Sequence, residues 1–148
     1  MGTKKIVFAT DFSENSAPAR DRAVEYAKTF GAELLILHVV NSRLLGYPSF
    51  VERVPVDLAL IEQNIRQGVE QELDAMSEDL AKEVKHVTTY HRTGAPAEEI
   101  VRFADEYEVD LIVMGTHGWT GFKHLIVGST AENVVRSSHC PVLTVRAK

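Results

Sequence analysis

Apolar and polar residues alternate along this chain in two rhythms, one typical of strands and the other of helices. Short runs rich in apolar and β-branched residues predict five strands, at 4–10, 32–40, 86–92, 109–115 and 140–146. Between these runs, apolar residues recur three or four positions apart, as on one face of a helix. The longest such stretch extends from Leu58 to Val84 and contains Gly68, where we expect a kink or a close contact.

Capping and breaking residues set the helix boundaries. Gly31 is a natural end for the first helix, whose start lies between Ser13 and Ser16. Pro96 is tolerated in the first turn of the third helix, where its missing N–H would have had no intrahelical partner. Strands and helices alternate along the whole chain, which predicts a doubly wound, Rossmann-like α/β sheet of parallel strands with helices on both faces. Residues 1–148 are expected to form a single domain.

Composition and charge narrow the classes of function. The chain has 148 residues, a formal net charge of −5 and one cysteine, Cys140. An acidic total argues against a nucleic-acid binder, which would carry a basic stripe, but it permits a small anionic ligand held by local donors. A single cysteine fits a reducing compartment, and no stretch approaches the length of a membrane span. We therefore expect a cytoplasmic protein that binds neither nucleic acid nor membrane.

Glycines are concentrated between the fourth strand and the last helix. Four of the nine, Gly115, Gly118, Gly121 and Gly128, lie in the segment GTHGWTGFKHLIVGST. Because each glycine costs conformational entropy on folding, such a cluster requires an explanation. The segment contains neither a Walker A sequence nor G-x-G-x-x-G, and its own spacing is G-x2-G-x9-G-S. Ligands of doubly wound sheets bind beyond the carboxyl ends of the strands, which is where this segment begins.

Two interpretations of the glycine segment remain open from its residues alone. In the first, Gly115 and Gly118 let the backbone approach a phosphate chain, which Gly128, Ser129 and Thr130 receive at a helix N-terminus. In the second, the glycines only fold a long connection, and Ser129 or Thr130 caps the helix. Local positive charge for the first interpretation would come from His117, Lys123 and His124.

Asp11 follows the first strand and therefore lies at the predicted ligand edge of the sheet, as do residues 38–40 after the second strand. Its carboxylate could accept hydrogen bonds from a ribose or a base. The alternative is that Asp11, Ser13 or Ser16 caps the first helix.

Several stretches, in order along the chain, resemble the universal stress protein family. They are ATDFSENS, LHV, TGAPAEEIV, DLIVMGTHG, the G-x2-G-x9-G-S spacing and the closing CPVLTVR. The resemblance covers essentially the whole chain, and the glycine spacing is similar to that of the ATP-binding subgroup. It implies a five-stranded parallel sheet in the order 3-2-1-4-5, a homodimer that meets at the last strand, and an ATP site between the first and fourth strands.

The same resemblance implies which residues would hold ATP. Ala9, Thr10, Asp11 and Val39 would hold the adenosine end, Met114, Gly115 and Gly118 would line the ribose and phosphate path with His117 nearby, and Gly128, Ser129 and Thr130 would receive the phosphates. Mg²⁺ could arrive with the nucleotide. Trp119 stands where a basic side chain is common in the family, which removes a phosphate contact that Lys123 could replace.

The implied function is an ATP-dependent stress-response or signalling module. Two alternatives accompany it. One is slow ATP hydrolysis or self-phosphorylation near Ser129 or Thr130, and the other is a dimeric interaction module without nucleotide turnover.

We expect neither catalytic residues nor a metal site of the protein's own. His86 and His91 lie five apart on a predicted strand and would face opposite sides, and no group of residues has metal-ligand spacing. Cys140 has no identifiable base beside it, and Ser129 lacks the sequence context of a nucleophile elbow.

Two apolar features at the surface could bind a partner. The loop at 41–56 carries a group of large apolar residues, namely Leu44, Leu45, Tyr47, Phe50 and Val51. They either cover the end of the sheet or form a lid or a surface for an unidentified protein partner. The last strand, PVLTVR, is apolar and lies at the predicted sheet edge, which invites pairing unless Arg146 and Lys148 shield it.

Overall fold

A single five-stranded parallel sheet organises the described residues. The computed structural model describes residues 2–44, 57–117 and 127–147. The strands are β1 (Lys5–Ala9), β2 (Glu33–Asn41), β3 (Val87–Gly94), β4 (Leu111–Gly115) and β5 (Val142–Val145). They lie in the order β3-β2-β1-β4-β5, and every neighbouring pair is parallel. The predicted fold class and strand order are both confirmed.

Within the described ranges, α-helices cover both faces of the sheet. They are α1 (Ala17–Phe30), α2 (Leu58–Leu80), α3 (Pro96–Glu106) and α4 (Ser129–Ser137), and short 3-10 turns occupy Glu14–Ser16 and Ser42–Leu44. The helices α1 and α2 pack on one face of the sheet, and α3 and α4 pack on the other.

Alternate residues of the central strands point into two separate cores. In β1, Ile6 and Phe8 join the core under α1 and α2, whereas Val7 and Ala9 join the core under α3 and α4. Residues 34–37 of β2 are all buried. A strand covered on both faces has no polar side, which explains the continuous apolar runs of the sequence.

The helix ends agree with the sequence at some positions and differ at others. Gly31 ends α1 as predicted: its φ is +62°, and its amide donates to the carbonyl oxygens of Ala27 and Lys28. Helix α2 ends at Leu80, and Val84, predicted to lie in this helix, is instead buried in the turn that follows. Of the two alternatives for Gly68, close packing is wrong, because a Cβ there would meet no described atom within 4 Å other than the backbone of its own helix.

Candidate functional site

The turn between β1 and α1 is held by side chains that bond to its own backbone. Asp11 Oδ1 accepts hydrogen bonds from the Ser13 amide (2.9 Å) and the Ser13 hydroxyl (2.6 Å). Thr10 Oγ1 accepts one from the Phe12 amide (3.0 Å) and lies 3.2 Å from Ser16 Oγ. The Ser16 hydroxyl donates to the Ser13 carbonyl oxygen (2.7 Å). These bonds form an Asx turn and fix the half-buried Asp11 just beyond the carboxyl end of β1.

Helix capping does not account for Ser13 and Ser16. Ser13 precedes the 3-10 turn and Ser16 is the N-cap residue of α1, yet neither side chain makes a capping hydrogen bond. Pro18 lies in the first turn of α1 and has no N–H to be satisfied. The capping alternative is therefore wrong for Ser13 and Ser16, and the hydrogen bonds of Asp11, Ser13 and Ser16 shape the turn itself.

Phe12 and His38 connect the turn to β2. Phe12 has a φ of +64°, a left-handed conformation that costs a non-glycine residue about 1–2 kcal/mol. Its ring stacks on the His38 imidazole, with centroids 4.4 Å apart and planes inclined by 24°. His38 Nδ1 lies 2.8 Å from the Thr10 carbonyl oxygen, and because a carbonyl can only accept, Nδ1 carries the proton. Burial lowers the pKa of His38 below its ordinary value of 6.5, although the Thr10 carbonyl and Asp11 act in the opposite direction.

The carboxyl end of β4 touches the same turn. Ala9 of β1 pairs with Met114 of β4, and Gly115 is the next residue. A Cβ at Gly115 would lie 3.3 Å from the Asn15 carbonyl oxygen. The absence of a side chain at this position lets the end of β4 and the turn before α1 meet.

Gly128, which directly precedes α4, contacts Thr116, which directly follows β4. The Gly128 amide donates to the Thr116 carbonyl oxygen (2.5 Å), and the Thr116 amide donates to the Val145 carbonyl oxygen of β5 (3.2 Å). A Cβ at Gly128 would lie 2.8 Å from that same Thr116 oxygen, closer than folded proteins tolerate. Because Gly128 has an ordinary φ of −69°, glycine is needed here for space and not for backbone freedom.

Helix α4 begins at this same point. Its N-cap residue is Gly128, which has no side chain to accept a hydrogen bond from the first turn. The alternative that Ser129 or Thr130 caps the helix is therefore wrong. Both residues lie within the first turn, with Ser129 exposed and Thr130 half-buried. The positive end of the dipole of α4 thus lies beside Thr116, directly after the carboxyl end of β4.

The described members of the predicted site lie near the carboxyl ends of the strands and the start of α4. Some of them are buried in the core, and others are partly exposed. Ala9 and Met114 are buried in the core under α3 and α4, so they support the edge from below. Val39 is half-buried on β2, next to the strand end occupied by Thr10. The half-buried His117 places Nδ1 3.0 Å from Thr116 Oγ1.

Part of the predicted site lies outside the described residues. This concerns five positions of the glycine segment, namely Gly118, Trp119, Gly121, Lys123 and His124. The side chains of the apolar group at 44–51 also lie outside what the structure describes, as does the terminal Lys148.

The described ranges also contain the other residues considered from the sequence as metal ligands. No three His, Cys, Asp or Glu side chains among residues 2–44, 57–117 and 127–147 could together hold a metal ion. His86 precedes β3, so the prediction that it shares a strand with His91 is wrong. The Nε2 atom of His91 lies 3.6 Å from Glu70 Oε1 of α2. An open polar groove at the amino ends of β2 and β3 is on the edge opposite to Asp11. Of the helices the structure describes, none has the length and apolar character needed to cross a bilayer.

Comparison with known proteins identifies the family. A family model described as the universal stress protein family matches residues 2–146. This chain belongs to the universal stress protein family. As a member, it is 37% identical to universal stress protein MJ0531 of Methanocaldococcus jannaschii over 97% of its own length and 82% of that protein.

Solved structures have the same fold as this universal stress protein. The structure of MJ0577 from Methanocaldococcus jannaschii is 32% identical and superposes with a TM-score of 0.73, over 100% of this chain and 99% of that one. A universal stress protein solved in complex with cAMP is 24% identical, with a TM-score of 0.65 over 100% of both chains. At that identity the second likeness concerns the fold alone.

Sequence reasoning assigned no role to Phe12 or His38, which belong to the same edge. It placed residues 38–40 near a ligand only through the general rule for strand ends. The signal available was an aromatic residue directly after Asp11 and a histidine in the LHV stretch. Their stacking depends on the positive φ of Phe12, which no local pattern predicts.

Proposed function

We propose that this universal stress protein binds ATP at the carboxyl edge of its sheet and acts as a nucleotide-dependent stress-response or signalling module. The observation that carries the proposal is the contact between Gly128 and Thr116, a backbone hydrogen bond at a position where a Cβ would not fit. It brings the N-terminus of α4 to the end of β4, beside the turn that carries Asp11. Such bare backbone at a helix N-terminus is suited to a phosphate chain.

Charge gives the nucleotide one orientation in this site. The Asp11 carboxylate would repel phosphates and would accept hydrogen bonds from hydroxyl or amino groups, so it suits the adenosine end. On the neighbouring strand β2, the half-buried Val39 offers an apolar surface to the adenine base. The amides at the start of α4, with Ser129 and Thr130, suit the anionic end. The two ends of the site therefore match the two ends of ATP.

Mg²⁺ would arrive bound to the phosphates. It keeps most of its water ligands and takes few from protein, so a dedicated cluster of carboxylates is not required. Among the described site residues, Asp11 is the one carboxylate, and it belongs to the adenosine end. We therefore propose binding without rapid turnover, because no described group is placed to activate water at the phosphate end.

A bound nucleotide supplies enough free energy to act as a signal. Micromolar affinity corresponds to about 8 kcal/mol, which is comparable to the backbone entropy cost of ordering about four to eight residues. A ligand shifts a conformational equilibrium only by its differential affinity for the two states. The segment between β4 and α4 and the residues from 41 to 56 follow β4 and β2 in the chain. We propose that occupancy is sensed through these two parts of the sequence.

We further propose that the protein is a cytoplasmic homodimer that pairs through β5. All four residues of Val142–Val145 are half-buried at the edge of the sheet, and three of them are apolar. An apolar edge strand of this kind is a template for pairing with a second chain.

The experiment that tests the proposed function begins with protein purified without added nucleotide. The protein is denatured, and the released small molecules are identified by chromatography and mass spectrometry. The same preparation, stripped of ligand, is then titrated calorimetrically with ATP and Mg²⁺, with GTP as the control nucleotide. We expect released adenine nucleotide or saturable ATP binding, with GTP bound at least about tenfold more weakly because its base carries different donors and acceptors.

Failure of both arms would contradict the proposed function. A stripped protein that binds neither nucleotide would leave the interaction-module alternative, in which a partner protein binds equally well with and without ATP. Release of phosphate above the level of a Gly128→Val variant would instead support slow hydrolysis.

A further inference from the structure

We propose that His38 is a positioning residue that holds the turn between β1 and α1, and with it the Asp11 carboxylate, in the conformation that receives adenosine. This inference rests on the proposed function for its ligand, but its geometry is independent of that function. The role assigned to His38 is indirect: it acts on Thr10 and Phe12, which flank Asp11 in the chain.

His38 contacts the turn between β1 and α1 in two ways, through its Nδ1–H and through the face of its ring. Strands β1 and β2 pair in register up to Ala9 and Leu37, and His38 is the next residue of β2. Its Nδ1–H donates to the Thr10 carbonyl oxygen over 2.8 Å, immediately beyond the end of β1. Its imidazole face supports the ring of Phe12 at a centroid distance of 4.4 Å. The residue before Asp11 and the residue after it are therefore both held by one side chain.

The backbone between these two contacts is strained. Phe12 adopts a φ of +64°, which a residue with a bulky side chain rarely does. Strain of this kind persists only where the surrounding structure imposes it, and it is concentrated at functional sites. The contact with His38 supplies that constraint on one side, and the bond from the Phe12 amide to Thr10 Oγ1 (3.0 Å) supplies it on the other.

The charged groups around His38 belong to three elements. Asp11 in the turn favours the protonated imidazole, and His91, its register partner on β3, disfavours it. Glu70 of α2 lies against His91 and not against His38, with 3.6 Å between Glu70 Oε1 and His91 Nε2. Burial lowers the pKa of His38 by more than Asp11 raises it, so the pKa lies below 6.5 and the ring is neutral at neutral pH. Neutral His38 with a protonated Nδ1 is thus the form that donates to Thr10.

Three variants distinguish the contribution of the hydrogen bond to Thr10 from that of the aromatic ring and from the general effect of replacing a histidine in the sheet. His38→Asn keeps a donor where Nδ1 lies and removes the ring. His38→Phe keeps an aromatic ring and removes the donor. His91→Asn is the matched control, because it changes a histidine at the same register that contacts α2 instead of the turn. Each protein is titrated with ATP, AMP and tripolyphosphate, and its folding is checked by thermal denaturation.

We expect His38→Phe to weaken ATP and AMP by the same factor, about fivefold to tenfold, the effect of one lost hydrogen bond. Tripolyphosphate binding should not change, because the phosphate end of the site does not involve the turn. His38→Asn keeps the bond to Thr10 and loses the stacking on Phe12, so it should weaken ATP and AMP binding by only about twofold, less than His38→Phe does. His91→Asn should bind all three ligands normally. Equal impairment of the Asn and Phe variants, or normal adenosine binding by His38→Phe, would overturn the proposal.

A second measurement decides the matter without any ligand. In ¹⁵N-labelled protein, the His38 ring should show the tautomer protonated at Nδ1, and the amide signal of Ser13 should report the Asx turn. We expect the Ser13 signal to shift in His38→Phe and to stay in place in His38→Asn. If the original protein binds no nucleotide, the proposed function fails, whereas an unmoved Ser13 signal in His38→Phe refutes the positioning role alone.

Discussion

The Gly128 amide donates its hydrogen bond to the carbonyl oxygen of Thr116, and the Thr116 amide donates to Val145 at the end of β5. One residue, Thr116, thus lies between the start of α4 and the edge strand of the sheet. Phosphates received at the start of α4 would act on Thr116, and through it on β5. The arrangement offers a short physical route between the proposed nucleotide site and the proposed dimer edge.

The space at Gly128 can be tested with a single methyl group. We expect Gly128→Ala to lower ATP affinity at least tenfold, about 1.4 kcal/mol, because the added Cβ would lie 2.8 Å from the Thr116 oxygen and must push α4 away. Stability should fall by about 1–3 kcal/mol for the same reason. Calorimetric titration and denaturant unfolding measure the two effects.

The matched control for that variant is Gly68→Ala. A Cβ at Gly68 meets no described atom within 4 Å, and the residue lies inside α2. This change should raise stability by about 0.5–1 kcal/mol through helix propensity and leave ATP affinity unaltered. Equal ATP affinity of the two alanine variants would show that Gly128 is not part of the nucleotide site.

Asp11 has a structural and a proposed ligand-binding role, and two substitutions separate them. Asp11→Asn keeps an acceptor for the Ser13 amide, so stability should change by less than about 0.5 kcal/mol while ATP binds at least about tenfold more weakly. Asp11→Ala also removes both bonds from Ser13, so it should in addition lose about 1 kcal/mol of stability. Unfolding curves and ATP titrations of both variants make the comparison. Normal affinity of Asp11→Asn would leave Asp11 with its structural role only.

The sequence predicted the sheet because its signal is local and repeated. Buried strands such as β2 have apolar residues on both faces, and α2 shows one apolar stripe over its whole length. The helix ends were less accessible, because Val84 continues the apolar periodicity of α2 although the chain has already turned. Burial explains both observations: periodicity records which side chains face the core and not which backbone groups are bonded.

At the candidate site, the sequence indicated the end of the sheet at which these residues lie but not the contacts between them. The position of Asp11 after a strand and the glycines at 115 and 128 were sufficient to predict that these residues lie at the carboxyl ends of the strands, while ligand binding there stays a prediction. The reason for Gly128 was not predictable, since it is contact with Thr116, twelve residues earlier in the chain. The stacking of Phe12 on His38 was inaccessible for the same reason, because it joins two elements through a rare backbone conformation.

His38 should make the stability of the protein depend on pH. Its pKa in the folded protein lies below the ordinary 6.5, so between these two values the unfolded chain binds more protons than the folded one. The free energy of unfolding should therefore fall as the pH is lowered through 6.5, and this contribution should level off below the folded pKa. Denaturant unfolding between about pH 7.5 and about pH 5.5 measures the slope.

The variant His38→Asn should lack this component of the slope, because asparagine does not titrate. His91→Asn serves as the comparison and should keep most of it, because burial is the main cause of the lowered pKa of His38. An identical pH dependence in the original protein and in His38→Asn would show that other groups account for the acid sensitivity.

The backbone of β5 allows the proposed dimer to be broken without disturbing the sheet. The carbonyl oxygens of Pro141 and Val145 accept hydrogen bonds from Ile112 and Thr116, on the β4 side. Because successive residues of a strand alternate in direction, the amide of Thr144 points away from β4, toward the free edge. Proline is tolerated at an edge position whose N–H faces outward. We expect Thr144→Pro to be a folded monomer of 16.5 kDa by light scattering, while Thr144→Val remains dimeric. A dimeric Thr144→Pro protein with an unchanged circular dichroism spectrum would place the interface elsewhere, whereas a monomeric one that still binds ATP would show that the nucleotide site is complete within one chain.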